Sequence, residues 1–90
     1  MNFDAIRNYY EQLVFNYLLE EAAPKANITD EELLEDIVCL ALNKIPARYI
    51  RHEVDMAFFL STAERTTMRN NVINAVDHAI TTIEKSNKEK

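Results

Sequence analysis

The chain has no glycine in its 90 residues and only two prolines, Pro24 and Pro46. A β-rich fold turns sharply between strands, and those turns need residues at positive φ, which glycine supplies without steric cost. A chain lacking glycine is therefore steered toward helices. The same absence excludes every glycine-rich phosphate loop. Ninety residues make one domain, too short for two independent cores, and a core this small is often completed by a partner subunit.

The apolar pattern bears this out. A first helix is expected to open after Asn2, a good cap residue, with Asp4 favourable in the first turn. Phe3, Ile6, Tyr10, Leu13, Val14 and Tyr17 recur at helical spacing. Phe15 and Leu19 face away from them, a second apolar face that suits contact with another subunit. Pro24 ends this helix, leaving residues 22–28 as a linker. Thr29-Asp30-Glu31-Glu32 reads as a capping box for a second helix. Leu33, Leu34, Ile37, Val38, Leu40, Ala41 and Ile45 form its buried side, and Glu31, Glu32, Glu35 and Asp36 its solvated face. Pro46 disfavours helical geometry at Ile45, which stops the helix near Lys44.

Residues 47–60 are ambiguous. Val54, Met56, Phe58 and Leu60 alternate with Glu53, Asp55, Ala57 and Phe59, a strand-like pattern. An extended pair and an irregular loop with one helical turn both fit, the extended segment being preferred. Ser61-Thr62-Ala63-Glu64 is a further capping box, opening a long helix to about Lys85 with Met68, Val72, Ala75, Val76, Ala79, Ile80 and Ile83 as its stripe. Residues 86–90 should fray. The expected fold is mainly α: three principal helices, with a short extended or irregular segment between the second and third, in a single domain of residues 1–85 that assembles as a dimer.

Composition narrows the function. Cys39 is the single cysteine, which excludes an intramolecular disulfide and a multi-cysteine zinc site. Asp4 and Arg7 interrupt the first apolar turn, so no signal peptide is expected, and no apolar run approaches the ~20 residues that span a bilayer. A cytoplasmic location without a membrane partner follows as the expectation. The formal charge of −5 argues against general DNA or RNA binding. That total conceals an asymmetry: residues 1–36 hold nine acidic and two basic side chains, residues 37–90 six acidic and eight basic. A local anion site on an acidic protein is compatible with this distribution.

Catalytic constellations are poor. His52 and His78 are far apart, and Asp77 and His78, adjacent on a helix, do not face each other. Cys39 is expected on a helix in an apolar environment, away from a helix N-terminus and any obvious base, and so inert. His52 with Asp55 is half a metal site lacking further ligands. No enzyme and no cofactor are expected.

The cations are more informative. Lys44, Arg48, Arg51 and His52 cluster around the Pro46 turn with Tyr49 among them. Arginine forks to a phosphate or to the O6/N7 edge of guanine, and a tyrosine ring offers a stacking face worth ~1–3 kcal/mol per base. The structural alternative is ordinary: a lysine complementing a helix C-terminus and a tyrosine packed as a lid beside proline. Arg65 and Arg69, four residues apart, continue the apolar stripe of the last helix toward its N-terminus, the end where cations are disfavoured. Each needs an acceptor if buried or half-buried, either Glu53, Asp55 or a carboxylate of the acidic half, or a bound phosphate.

The segment Ala41-Leu42-Asn43-Lys44-Ile45-Pro46-x-Arg48-Tyr49 resembles the signature of the ComFB (late competence development) family of small bacterial proteins. Asn8-Tyr9-Tyr10-Glu11-x-Leu13-Val14, Asp36-Ile37 ahead of the signature and the alanine-containing last helix extend the resemblance over most of the chain. The resemblance implies a compact helical domain that pairs into a homodimer and, in some members, binding of cyclic di-GMP or cyclic di-AMP in signal transduction. Many relatives carry a cysteine cluster before the central helix that suits zinc; this chain has only Cys39, inside that helix, so no zinc is inferred. A symmetric dimer would present the same cations twice to a ligand with two phosphates and two bases. The expected ligand-binding residues are Lys44, Arg48, Tyr49, Arg51, Arg65 and Arg69, with cyclic di-GMP preferred because guanine offers two acceptors on one edge. The rival expectation is an adaptor whose acidic half and aromatics Phe15, Phe58 and Phe59 dock an unidentified protein partner, with no small ligand.

Overall fold

The computed structural model describes residues 1–88, apart from the side chains of Glu53, Asp55, Ala57, Asn87 and Lys88. Its first helix starts later than Asn2. Asn2 closes only a local turn, its Oδ1 accepting from the Asp4 N–H at 2.8 Å, and Phe3 and Ile6 stay exposed. The helix α1 (Tyr9–Tyr17) is instead capped by Asn8 in a capping box with Glu11. The Asn8 Oδ1 accepts from the Tyr10 N–H at 3.2 Å, and the Asn8 N–H donates to Glu11 Oε2 at 3.0 Å. Tertiary structure decides between the two asparagines. Asn8 Oδ1 also accepts from the Arg48 N–H at 2.9 Å, and the Tyr9 N–H donates to the Arg48 carbonyl at 2.7 Å. Around these bonds β1 (Arg7–Asn8) pairs antiparallel with β2 (Tyr49–Ile50), Arg7 opposite Ile50 and Asn8 opposite Tyr49.

Asn8→Ala should therefore destabilise the fold by about 1–2 kcal/mol through loss of the cap. Thermal unfolding should show a drop of roughly 4–8 °C per kcal/mol. Asn8→Asp, which keeps the acceptor, should recover most of it.

Pro24 does not end the first rod. The helix widens into a π-helical turn at Leu18–Ala22, in which the Ala23 N–H reaches the Leu18 carbonyl, and continues as α2 (Ala23–Ala26). Pro24 then lies in the first turn of a new α-helical segment, where its missing N–H costs least. Termination falls to Asn27, in the left-handed conformation at φ 57°. The Ile28 N–H donates to the Ala23 carbonyl there at 3.0 Å, closing the C-terminus as such caps do.

The helix α3 (Glu31–Lys44) is capped by Asp30, one residue after the expected Thr29. Asp30 Oδ1 accepts from the N–H groups of Glu32 at 2.9 Å and Leu33 at 3.4 Å. A carboxylate both caps and complements the positive helix end. The helix stops at Lys44, with Ile45 extended before Pro46, as expected.

Residues 47–60 divide. Tyr49 and Ile50 are extended, but α4 (Glu53–Phe59) is helical, against the strand reading of Val54–Leu60. Met56 and Leu60, four apart, are buried, whereas Val54 and Phe58, also four apart, are exposed. A four-residue alternation contains two such helical pairs, so period two and period 3.6 cannot be separated over so short a run.

The long helix α5 (Thr62–Lys88) opens at Ser61, whose Oγ accepts from the Glu64 N–H at 3.1 Å and donates to Glu64 Oε1 at 3.2 Å. It continues past Lys85 without a breaker; Glu89 and Lys90, the end of the expected frayed tail, lie outside the described residues. The fold is mainly helical, with α1–α2, α3 and α5 as its three principal rods. Their core joins Tyr10, Val14 and Leu18 to Ile37 and Ala41 and to Met68, Val72, Val76 and Ala79. No helix among the described residues is long and apolar enough to cross a membrane.

Candidate functional site

The helices α1 and α5 do not close completely against each other. Between them lies a groove of about 210 Å³ lined by Tyr9, Leu13 and Tyr17 from α1, Glu21 from the π-helical turn, Leu60, and Arg65, Met68, Arg69, Val72 and Ile73. Tyr9, Leu13 and Tyr17 reach it because residues four apart share one helix face. Arg65 and Arg69 reach it for the same reason from α5. Leu13, Leu60, Met68, Val72 and Ile73 supply its apolar lining.

Both arginines are exposed. The Arg69 Nη2 donates to Glu21 Oε2 at 3.3 Å, so a carboxylate of the acidic half meets this cation. The side chains of Glu53 and Asp55, the other expected acceptors, lie outside the described residues. Tyr17 donates its hydroxyl to Asp77 Oδ1 at 2.9 Å. Burial, this hydrogen bond and the negative charges of Asp77 and Glu21 push the phenol up to about 12, against the opposing pull of Arg69. Tyr17 therefore stays a neutral donor throughout the physiological range, its ring fixed at the groove edge. Tyr10, on the core side, accepts through its hydroxyl from Asn71 Nδ2 at 3.2 Å.

The other expected residues lie elsewhere. Lys44 lines a second, more open groove with Ile45, Pro46, Asn71, Asn74, Ala75 and His78. Arg48 just before β2, Tyr49 on it and Arg51 just after it are all exposed, Tyr49 at 71%. Their backbone is tied to the α1 N-terminus through Arg48 and Tyr9, so Tyr9 links the basic strand to the α1–α5 groove. The structure thus brings Arg65 and Arg69 to one groove, leaves Arg48, Tyr49 and Arg51 exposed around β2 and in none of the grooves described, and places Lys44 in a groove of its own. Tyr9, Tyr17 and Glu21 were not among the expected site residues. Their helical spacing, Tyr17 eight residues after Tyr9 and Glu21 four after Tyr17, was visible, but a tyrosine at such spacing reads equally well as core.

A third groove is almost wholly apolar. Phe15, Leu18 and Leu19 face Leu34, Glu35, Val38 and Cys39 across α1 and α3, with Phe15 and Leu19 exposed as the pattern predicted. Cys39 is exposed on its rim. Among the described residues, no group of three or more His, Cys, Asp or Glu side chains is placed to hold a metal ion.

No curated protein and no solved structure matches the chain. The family model described as late competence development protein ComFB matches residues 7–87, from β1 through α5. By that match over nearly its whole length the chain belongs to the ComFB family.

Proposed function

We propose that this chain is a non-enzymatic cytosolic regulator that binds a cyclic dinucleotide as a homodimer, cyclic di-GMP in preference to cyclic di-AMP. The observation that carries this reading is the α1–α5 groove, where two tyrosine rings stand opposite two arginines across an apolar floor. Guanidiniums suit phosphate and the guanine edge, and tyrosines suit a base face. Arg48, Tyr49 and Arg51 around β2, tied to the groove only through the Arg48–Tyr9 backbone bond, and Lys44 in its own groove are the further ligand contacts in this reading. The apolar α1–α3 groove around Phe15 and Leu19 supports pairing with a second copy. Two-fold pairing would then match a ligand with two equivalent halves.

Phe58 and Phe59, about four-fifths exposed on α4, favour the second reading, a protein-docking adaptor without a small ligand. A calorimetric titration with cyclic di-GMP and, in parallel, cyclic di-AMP separates the two. The expected result is saturable heat at one ligand per two chains, with the guanine compound tighter, and a raised thermal midpoint by mass action. Absence of heat and of any midpoint shift with both compounds would leave the adaptor reading.

A further inference from the structure

We propose that Glu21 is the affinity-setting counter-charge of the α1–α5 groove, holding Arg69 until a phosphate displaces it. The inference rests on the anion-binding reading above and adds the residue that opposes it. Glu21 lines the groove together with both arginines, and its Oε2 is 3.3 Å from Arg69 Nη2. The two side chains are 52% and 61% exposed, so their pairing is solvated, weak and exchangeable. Glu21 lies in the π-helical turn four residues after Tyr17, on the face that α1 presents to the groove. Glu20, its neighbour on the same turn, is exposed and lines none of the grooves described above. Tyr17, one turn earlier, spends its hydroxyl on Asp77, leaving Glu21 to meet the guanidinium.

The chemistry of exchange follows. A phosphodiester accepts the same two-pronged arginine fork as a carboxylate, and a cyclic dinucleotide carries two such anionic groups on one molecule. A ligand carrying two or more negative charges, which can meet both arginines at once, therefore displaces Glu21, whereas a simple monoanion gains too little over the carboxylate already present. Glu21 thus sets a threshold that favours phosphate-bearing ligands over the monoanions of the medium.

The test titrates inorganic pyrophosphate into the full chain and its E21Q and E20Q variants, which change net charge equally. Removing a carboxylate this close to the bound anion should tighten pyrophosphate binding about fivefold in E21Q, and by less than about twofold in E20Q, where screening intervenes. Equal responses of the two variants, an E21Q affinity no tighter than the parent's, or no pyrophosphate binding even with Glu21 neutralised would each overturn the inference. A cyclic di-GMP titration of the parent chain separates it from the broader reading. Cyclic di-GMP binding with no E21Q effect sinks only the counter-charge; an E21Q effect without cyclic di-GMP binding sinks only the ligand identity.

Discussion

Replacing Arg65 and Arg69 together with alanine should weaken cyclic di-GMP binding about a hundredfold. Each charge-assisted hydrogen bond to a phosphate contributes about 1.5–3 kcal/mol, and every 1.4 kcal/mol is a factor of ten in affinity. The loss should come without unfolding. Both side chains are exposed, and such surface substitutions usually stay within about 0.5 kcal/mol. The Arg69 pair with Glu21 is of the exposed kind that contributes roughly 0–1 kcal/mol. The informative comparison is Arg48→Ala with Arg51→Ala, which removes the cations of the β2 side and leaves the groove intact. Calorimetry on the two double variants assigns the site. If binding survives the first unchanged, the α1–α5 groove is not where the ligand sits; if it survives the second, Arg48 and Arg51 leave the site.

Those two sets of arginines differ in how openly the sequence announces them. Lys44, Arg48, Tyr49 and Arg51 are neighbours in the chain, and their density around one proline is conspicuous. Yet adjacency in sequence does not make a pocket: Lys44 ends a helix, Pro46 turns the chain, and Tyr49 begins a strand committed to pairing with β1. Tyr9, Tyr17, Arg65 and Arg69 lie about fifty residues apart and meet only because α1 packs on α5. No local signal reports that.

Similar logic separates the legible parts of the fold from the rest. The end of α3 is set by the steric effect of Pro46 on its immediate predecessor, so it could be read directly. The start of α1 depends on which asparagine finds a distant partner, and Asn8 wins through Arg48, forty residues on. The passage of the first rod through Pro24 depends on a π-helical turn that no residue pattern marks in advance, although such turns often sit at functional positions. Here Glu21 lies in that turn and lines the groove. Helix content and the apolar stripes, being averages over many residues, survive these local surprises.

Ile37→Ala should have the largest effect on stability and little on the ligand. Ile37 is fully buried in the middle of α3, packed in the core that α3 shares with α5, and it lines none of the grooves described above. Truncating a buried isoleucine costs about 2–5 kcal/mol, lost contacts and residual cavity together, out of the roughly 5–15 kcal/mol that holds a domain folded. At roughly 4–8 °C per kcal/mol, the thermal midpoint should fall by at least about 8 °C. Because a ligand raises stability by an amount set only by its concentration relative to Kd, saturating cyclic di-GMP should add the same increment to this variant as to the parent, about 2.7 kcal/mol at a hundredfold excess over Kd. The Arg65 and Arg69 double variant should do the reverse, keeping the midpoint and losing the increment. A midpoint that barely moves in Ile37→Ala would mean that α3 is not packed on α5 as described. An increment that vanishes with it would mean that the ligand is held by the α3 side of the molecule rather than by the α1–α5 groove.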